Sequence, residues 1–164
     1  MVFEQHEFCS YCGTRFETNS WPRPCHNCHN TTFTNPLPVS VAVIPVWDNG
    51  KLGTLIQQRN IEPKKGQWAL TGGYINRGES WQEGLVREVY EELGLETSVD
   101  DFYLLEVISN PEKSTMLVFG ECTKYFYLEE LKFTPNEEVS AIQVIHEPVA
   151  LAFPSHTEIL KKFF

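Results

Sequence analysis

The feature that most constrains this chain is the stretch TGGYINRGESWQEGLVREVYEELGLE, residues 71–96. It predicts, in order, a strand ending at Gly72-Gly73, a glycine-rich turn, and a helix from about Ser80 to Leu93. The helix is opened by the capping box Ser80-x-x-Glu83 and closed by Gly94. At about 100° per residue, Leu85, Val86, Val89 and Leu93 share a sector that can face a core. Glu88, Glu91 and Glu92 fall in the adjoining sector. As like charges three and four residues apart they disfavour the helix by roughly 0.2 to 0.5 kcal/mol per pair. They also crowd the end where the helix dipole already disfavours negative charge, and only Arg87 stands nearby to compensate. A solvated acidic face is the plain reading of such a run, but a helix needing only solubility would carry lysines there. Clustered oxygens with few counter-charges are what a hard divalent cation requires. Gly84, inside the helix on the same face, implies a close approach by backbone or ligand.

Around this block the chain reads as two unequal parts. Residues 1–34 are rich in Cys, His, Asn, Thr and Pro with little apolar periodicity, and residues 35–164 alternate strand-like and helix-like segments. Expected strands are Val39 to Trp47, then, across an Asp48-Asn49-Gly50 turn, Leu52 to Arg59, followed by Trp68 to Thr71, Phe102 to Ile108, Met116 to Tyr127 and Val139 to Ile145. A last helix is expected to begin at a second capping box, Ser155-x-x-Glu158, and to run to Phe164 with Glu158 and Lys162 paired. Several strands with two marked helices imply an α+β or α/β sandwich rather than a βαβ repeat.

The first part carries Cys9-x-x-Cys12 and Cys25-x-x-Cys28, separated by twelve residues. Two such knuckles can complete a closed tetrahedral site for structural Zn2+. A segment this short needs a metal or disulfides to fold. Disulfide pairs, a redox role, or substitution of a thiolate by His6, His26 or His29 are the alternatives. Cys122, in an apolar run, reads as a core cysteine.

With 41% hydrophobic and 21% charged residues the 164-residue chain is globular in composition, and its start shows no leader pattern and no membrane-length apolar run. It reads as cytoplasmic and complete. A net charge of −9 is the wrong sign for holding nucleic acid through its phosphates. A small phosphorylated substrate fits only where cations screen the acidic site.

The central block resembles the Nudix box, G-x5-E-x7-R-E-U-x-E-E-x-G-U with U aliphatic. The match runs through Gly73, Glu79, Arg87, Glu88, Val89, Glu91, Glu92, Gly94 and Leu95. The resemblance covers most of the chain. The ribbon, the segment QRNIEPKKGQWALTGGYINRGES and the late ALAFPSH together look like zinc-ribbon Nudix enzymes of the FAD/ADP-ribose pyrophosphatase kind. It implies a Nudix fold, an α+β protein built as an α/β/α sandwich on a mixed sheet, with a small N-terminal zinc ribbon.

It also implies Mg2+- or Mn2+-dependent hydrolysis of a diphosphate attached to a nucleoside. Glu88 and Glu92 would bind the metal, with Glu79, Glu91 and the Gly73 carbonyl as further ligands. Arg87 would orient the glutamates, and Glu88, Glu91 or Glu138 would serve as general base. The nucleobase would stack on Trp68, Tyr74 or Phe153, each otherwise a core aromatic. The expected partner is a small nucleotide, with no membrane or nucleic acid, and a homodimer is compatible with this reading. Two departures bear on specificity. Enzymes of the NADH type carry an S-Q-P-W-P-F-P run after the box, where this chain has Ser109-Asn110-Pro111-Glu112-Lys113-Ser114. Many relatives read E-E-V-S-E-V-R-W-F where this chain has Ala141 and Val144 after Glu137-Glu138-Val139-Ser140. Other readings are a Nudix enzyme for NADH, nucleoside triphosphates or capped RNA, and a non-catalytic Nudix-like sensor.

Overall fold

The computed structural model describes residues 6–164; the first five residues, part of the start read above as lacking a leader, lie outside them. The chain divides into two compact units, residues 1–36 and 37–164.

In the first unit each C-x-x-C turn is closed in the same way. The N–H of Gly13 donates to the Cys9 carbonyl at 2.9 Å, and that of His29 to the Cys25 carbonyl at 3.0 Å. Both donors have positive φ, 74° and 59°, so the residue after each second cysteine turns into the left-handed region. Strands β1 (Arg23–Pro24) and β2 (Thr31–Thr32) pair antiparallel beside the second turn.

The second unit is built on β3 (Leu37–Val43), β4 (Pro45–Asp48), β5 (Lys51–Arg59), β6 (Trp68–Ala69), β7 (Thr71–Tyr74), α1 (Trp81–Leu93), β8 (Phe102–Ser109), β9 (Thr115–Cys122), β10 (Phe126–Tyr127), β11 (Val139–Ile145) and α2 (Pro154–Phe163). One mixed sheet has the order β7-β3-β9-β8; the other runs β10-β4-β5-β11 with β6 also paired to β5. Strand alternation places a helix on each side of β3. Ala42 joins Leu85, Val89 and Leu93 of α1 in one core cluster, which Leu55 and Phe102 complete. Val41 and Val43 join Ile159 and Leu160 of α2 in the other, with Leu70 and Phe119. This is the expected α+β sandwich. Among the described residues no helix is long and apolar enough to cross a membrane.

The structure departs from the expected elements in four places. The single strand expected over Val39 to Trp47 is two strands in different sheets, because Pro45 has no N–H to continue the ladder and the chain crosses over at Ile44. Trp68 to Thr71 splits likewise at Leu70, and Gly72-Gly73 lie inside β7 rather than after a strand end. Met116 to Tyr127 breaks after Cys122, where Thr123 N–H turns to the Asp101 carbonyl at 2.7 Å. The second capping box does not form. Pro154 takes the first helical position of α2, so Ser155 is already inside the helix, and Glu158 pairs with Lys161 while Lys162 pairs with Glu106. The Asp48-Asn49-Gly50 turn is as expected, with Asn49 and Gly50 at φ 49° and 77°.

Candidate functional site

Helix α1 begins and ends as its sequence implies. Ser80 Oγ accepts from Glu83 N–H, Glu83 answers on the Ser80 N–H, and Gly94 closes the helix at φ 69°. The apolar stripe fixes its rotation, and that rotation buries Glu88 and Glu92 while leaving Glu91 exposed. Close approach to the sheet depends on glycine. A Cβ at Gly84 would sit 3.0 Å from Ser40 Oγ on β3, and one at Gly73 would collide with the Glu88 carboxylate.

Arg87 organises the carboxylates. Its Nε lies 2.7 Å from Glu79, and its Nη1 lies 2.6 Å from Glu88 and 3.0 Å from Glu91. Nη2 donates to the Tyr74 carbonyl at 2.9 Å and to Glu79 at 3.1 Å. These bonds hold the Glu79 carboxyl down to about 2. Glu88 is pushed up by burial despite its Arg87 partner. Glu92 has no ion pair among the described residues. It accepts from Gly72 N–H at 3.0 Å, and burial pushes it up to about 8 against the hydrogen bonds of Gln57 and Gly72. Two buried carboxylates on one helix face are therefore under-compensated by nearby positive charge, which is the electrostatic setting a divalent cation corrects.

A cleft of about 200 Å³ opens over this face, lined by Glu88, Glu91, Glu92, Asn136, Glu137 and Glu138. Asn136 builds its far wall. Its amide donates to the Glu92 carbonyl at 3.0 Å, capping α1, while its Oδ1 accepts the N–H groups of Glu138 and Val139. Asn136 escaped the sequence reading; a Pro-Asn turn immediately before an acidic pair was the available signal. Glu79, bound by Arg87 and the Asn76 N–H, does not line the cleft. Val144 is core, and Ala141 is half-buried on β11.

None of the three candidate stacking aromatics lines the acidic cleft itself. Trp68 is half-buried against the second core cluster. Its carbonyl accepts Ala152 N–H at 2.7 Å, which brings the chain before α2 alongside β6. Phe153 there stacks with the Arg59 guanidinium, 5.3 Å away, and with His156. Tyr74 is exposed at the end of β7.

In the N-terminal unit Cys9, Cys12, Cys25 and Cys28 bring their sulfurs within 4.8 Å of one another. The closest pairs are Cys12 to Cys25 at 3.6 Å and Cys9 to Cys28 at 3.7 Å, and all four are free thiols. Among the described residues this is the only set of three or more such ligand groups drawn so close. His6, His26 and His29 are exposed and outside it. Contact with Thr14 draws the Cys12 thiol down to about 6, which favours a thiolate. Cys122 is buried in the first core cluster, and burial pushes its thiol up to about 11.

Residues 36–163 match the description of the NUDIX domain. The "NAD-capped RNA hydrolase NudC" of Photorhabdus laumondii subsp. laumondii is 24% identical over 162 residues, covering 98% of this chain and 59% of that protein. The chain thus spans about three fifths of the length of that curated relative. Among solved structures, a NUDIX hydrolase from Nitrosomonas europaea aligns with a TM-score of 0.68 and 26% identity, over 96% of this chain and 89% of that one. The NUDIX domain of Shewanella oneidensis NrtR, complexed with ADP ribose, aligns with a TM-score of 0.64 and 20% identity, over 80% of this chain and 88% of that one.

Proposed function

The chain belongs to the NUDIX family, and from that premise we propose that it is a Mg2+- or Mn2+-dependent pyrophosphohydrolase. Its substrate is a nucleoside diphosphate joined to another moiety, of the ADP-ribose or FAD kind, and a nucleoside monophosphate is released. The observation that carries this reading is the burial of Glu88 and Glu92 on one face of α1, under a cleft, with Arg87 already committed to three carboxylates. The donor set is all oxygen, as a hard cation requires, and Gly73 leaves space that any side chain would fill.

Glu88 and Glu92 are the principal metal ligands in this reading, with Glu91 and the Gly73 carbonyl beside them and Glu79 acting mainly through Arg87. When bound, a divalent cation neutralises the diphosphate and lowers the pKa of an attacking water. Arg87 holds Glu79, Glu88 and Glu91 in register by charge-assisted bonds. Gly72 N–H orients Glu92, and Asn136 fixes the turn that carries Glu138 over the cleft. Of the candidate bases Glu88, Glu91 and Glu138, the last is the one Arg87 does not hold, so it accepts the proton from water with the least rearrangement. Stacking of the base falls to Phe153, which lies against the Arg59 guanidinium, or to Trp68, whose carbonyl holds the chain just before Phe153. The four-cysteine cluster holds structural Zn2+, and a cytoplasmic location suits a small nucleotide substrate.

A second reading, hydrolysis of NADH or of an NAD-capped RNA end, is favoured by the name of the curated relative. Against it stand the net charge of −9 and the sequence Ser109 to Ser114, which lacks the Trp and Phe of the NADH-type run. Initial rates with Mg2+ on ADP-ribose, FAD, NADH, NAD-capped RNA and ATP separate the readings. ADP-ribose or FAD is expected to be fastest. Hydrolysis of NADH, capped RNA or ATP at least ~10-fold faster, about 1.4 kcal/mol in transition-state stabilisation, overturns the specificity. No turnover of any of them supports a sensor.

A further inference from the structure

Behind the carboxylate face lies a buried polar chain that the catalytic reading does not use. Gln57, on β5 between Ala69 of β6 and Ile142 of β11, is 1% exposed, although its neighbours Leu55 and Ile56 are apolar core. Thr71, at the start of β7, is equally buried and donates its hydroxyl hydrogen to Gln57 Oε1 at 3.0 Å. A primary amide has one accepting and one donating end. With Oε1 turned to Thr71, the NH2 end is left to donate; by strand alternation Gln57 shares the face of Leu55, which packs with α1, and its amide favours the charged form of Glu92. Thr71 donates to Gln57 and the next residue, Gly72, donates its N–H to Glu92, so two adjacent residues of β7 direct their donors at this pair. That polarity suits a charged carboxylate held in one orientation. A leucine at position 57 would serve the core better, since burying an amide is unfavourable unless both ends find partners.

We propose that Gln57, oriented by Thr71, is the positioning residue that aims the Glu92 carboxylate for divalent-cation binding while touching neither cation nor nucleotide. This rests on the metal-binding reading of Glu92 given above. The closest general parallel is the outer partner that orients a metal ligand, whose loss typically weakens metal affinity about 10- to 100-fold.

The test uses the full chain with Gln57→Leu, Thr71→Val and Thr71→Ser. Mn2+ binding is followed without substrate by the loss of the free-ion EPR signal. The Mg2+ concentration for half-maximal hydrolysis is measured separately, at saturating nucleotide. Gln57→Leu is expected to weaken Mn2+ binding and to raise the Mg2+ half-saturation roughly 10-fold, with the nucleotide KM at saturating metal unchanged. Thr71→Val shifts both in the same direction by less, because the amide is then free to turn. Thr71→Ser, which keeps the hydroxyl, behaves as the wild type. Should Gln57→Leu fail to fold, the contrast between valine and serine at position 71 decides. Wild-type Mn2+ binding in Gln57→Leu, or in Thr71→Val where that contrast must decide, overturns the inference, as does equal loss in Thr71→Val and Thr71→Ser. If the wild type binds Mn2+ but hydrolyses nothing, the proposed activity falls and the binding data alone judge Gln57. If the wild type binds no Mn2+, both fall.

Discussion

Replacing Glu92 by glutamine should make the protein more stable when magnesium is absent and abolish its response to magnesium. Glu92 is 4% exposed, and its carboxyl lies at about 8 against an ordinary value of 4.5. For a carboxyl raised on folding, the unfolded chain loses its proton first, so stability is lost as pH rises from 4.5 through 8. At pH 7 the difference of about 2.5 units amounts to about 3 kcal/mol of destabilisation. Glutamine keeps the shape and an acceptor for Gly72 N–H but presents no charge to bury. It gives back part of the gain because Gln57 then faces a weaker acceptor. The net expectation is a gain of about 1 to 3 kcal/mol at pH 7, visible as a Tm several degrees higher, that vanishes below pH 4.5. Magnesium at 100 times its Kd should stabilise the wild type by about 2.7 kcal/mol and leave Glu92→Gln nearly unmoved. The assay is thermal or urea unfolding in buffers stripped of divalent ions by resin, because a strong chelator would also attack the cysteine site. A variant less stable than the wild type at pH 8, or one equally stabilised by magnesium, refutes the reasoning.

Other substitutions read other parts of the account. Gly73→Ala places a Cβ where the Glu88 carboxylate lies, and that flexible end can move aside. Activity should therefore fall at least about 10-fold, with a loss in stability near the ~1 kcal/mol of an average substitution; normal turnover would show that Glu88 is not the ligand. His156 is buried, accepts Leu70 N–H at 3.2 Å and is pushed down to about 3 by burial. Its folded form stays neutral while the unfolded chain protonates below 6.5, so its contribution is whole above 6.5 and drains away as pH falls toward 3. Between pH 6.5 and 5 the wild type should lose about 2 kcal/mol relative to His156→Gln in urea unfolding, and parallel curves would contradict this. Elemental analysis of resin-washed protein should find about one zinc per chain, lost in Cys9→Ser together with the fold of the N-terminal unit. A mapped disulfide between Cys9 and Cys12 would rule the site out.

The parts legible in the sequence are those that local signals decide. The Ser80 to Gly94 helix, with its cap, its apolar stripe and its terminator, stands where it was expected, because all three signals agree. The two C-x-x-C turns did converge into one cluster. What was not legible depends on tertiary choice. Nothing local distinguishes a strand running from Val39 to Trp47 from two strands in different sheets; Pro45 permits the break, but partners β5, β7 and β9 decide it. Ser155-x-x-Glu158 imitates a capping box, yet Pro154 preorganises the helix two residues earlier, with Phe153 rather than Ser155 at the cap. The helical wheel placed Glu88, Glu91 and Glu92 together, but it could not say that Arg87 would tie Glu79 to them or that Gln57, distant in sequence, would be buried and bonded to Thr71 behind the site. Those contacts join segments across the sheet and leave no periodic trace.

The central claim is that the buried helix carboxylates make this chain a metal-dependent pyrophosphohydrolase. Its most direct test is AMP release from ADP-ribose as Mg2+ is titrated at fixed substrate, with wild type and Glu92→Gln side by side. The account expects no turnover without divalent cation, saturable activation in the wild type, and a rate in the variant at least about 100-fold lower, equivalent to about 2.7 kcal/mol of transition-state stabilisation. Hydrolysis indifferent to Mg2+, or sustained at the wild-type rate in Glu92→Gln, would contradict it.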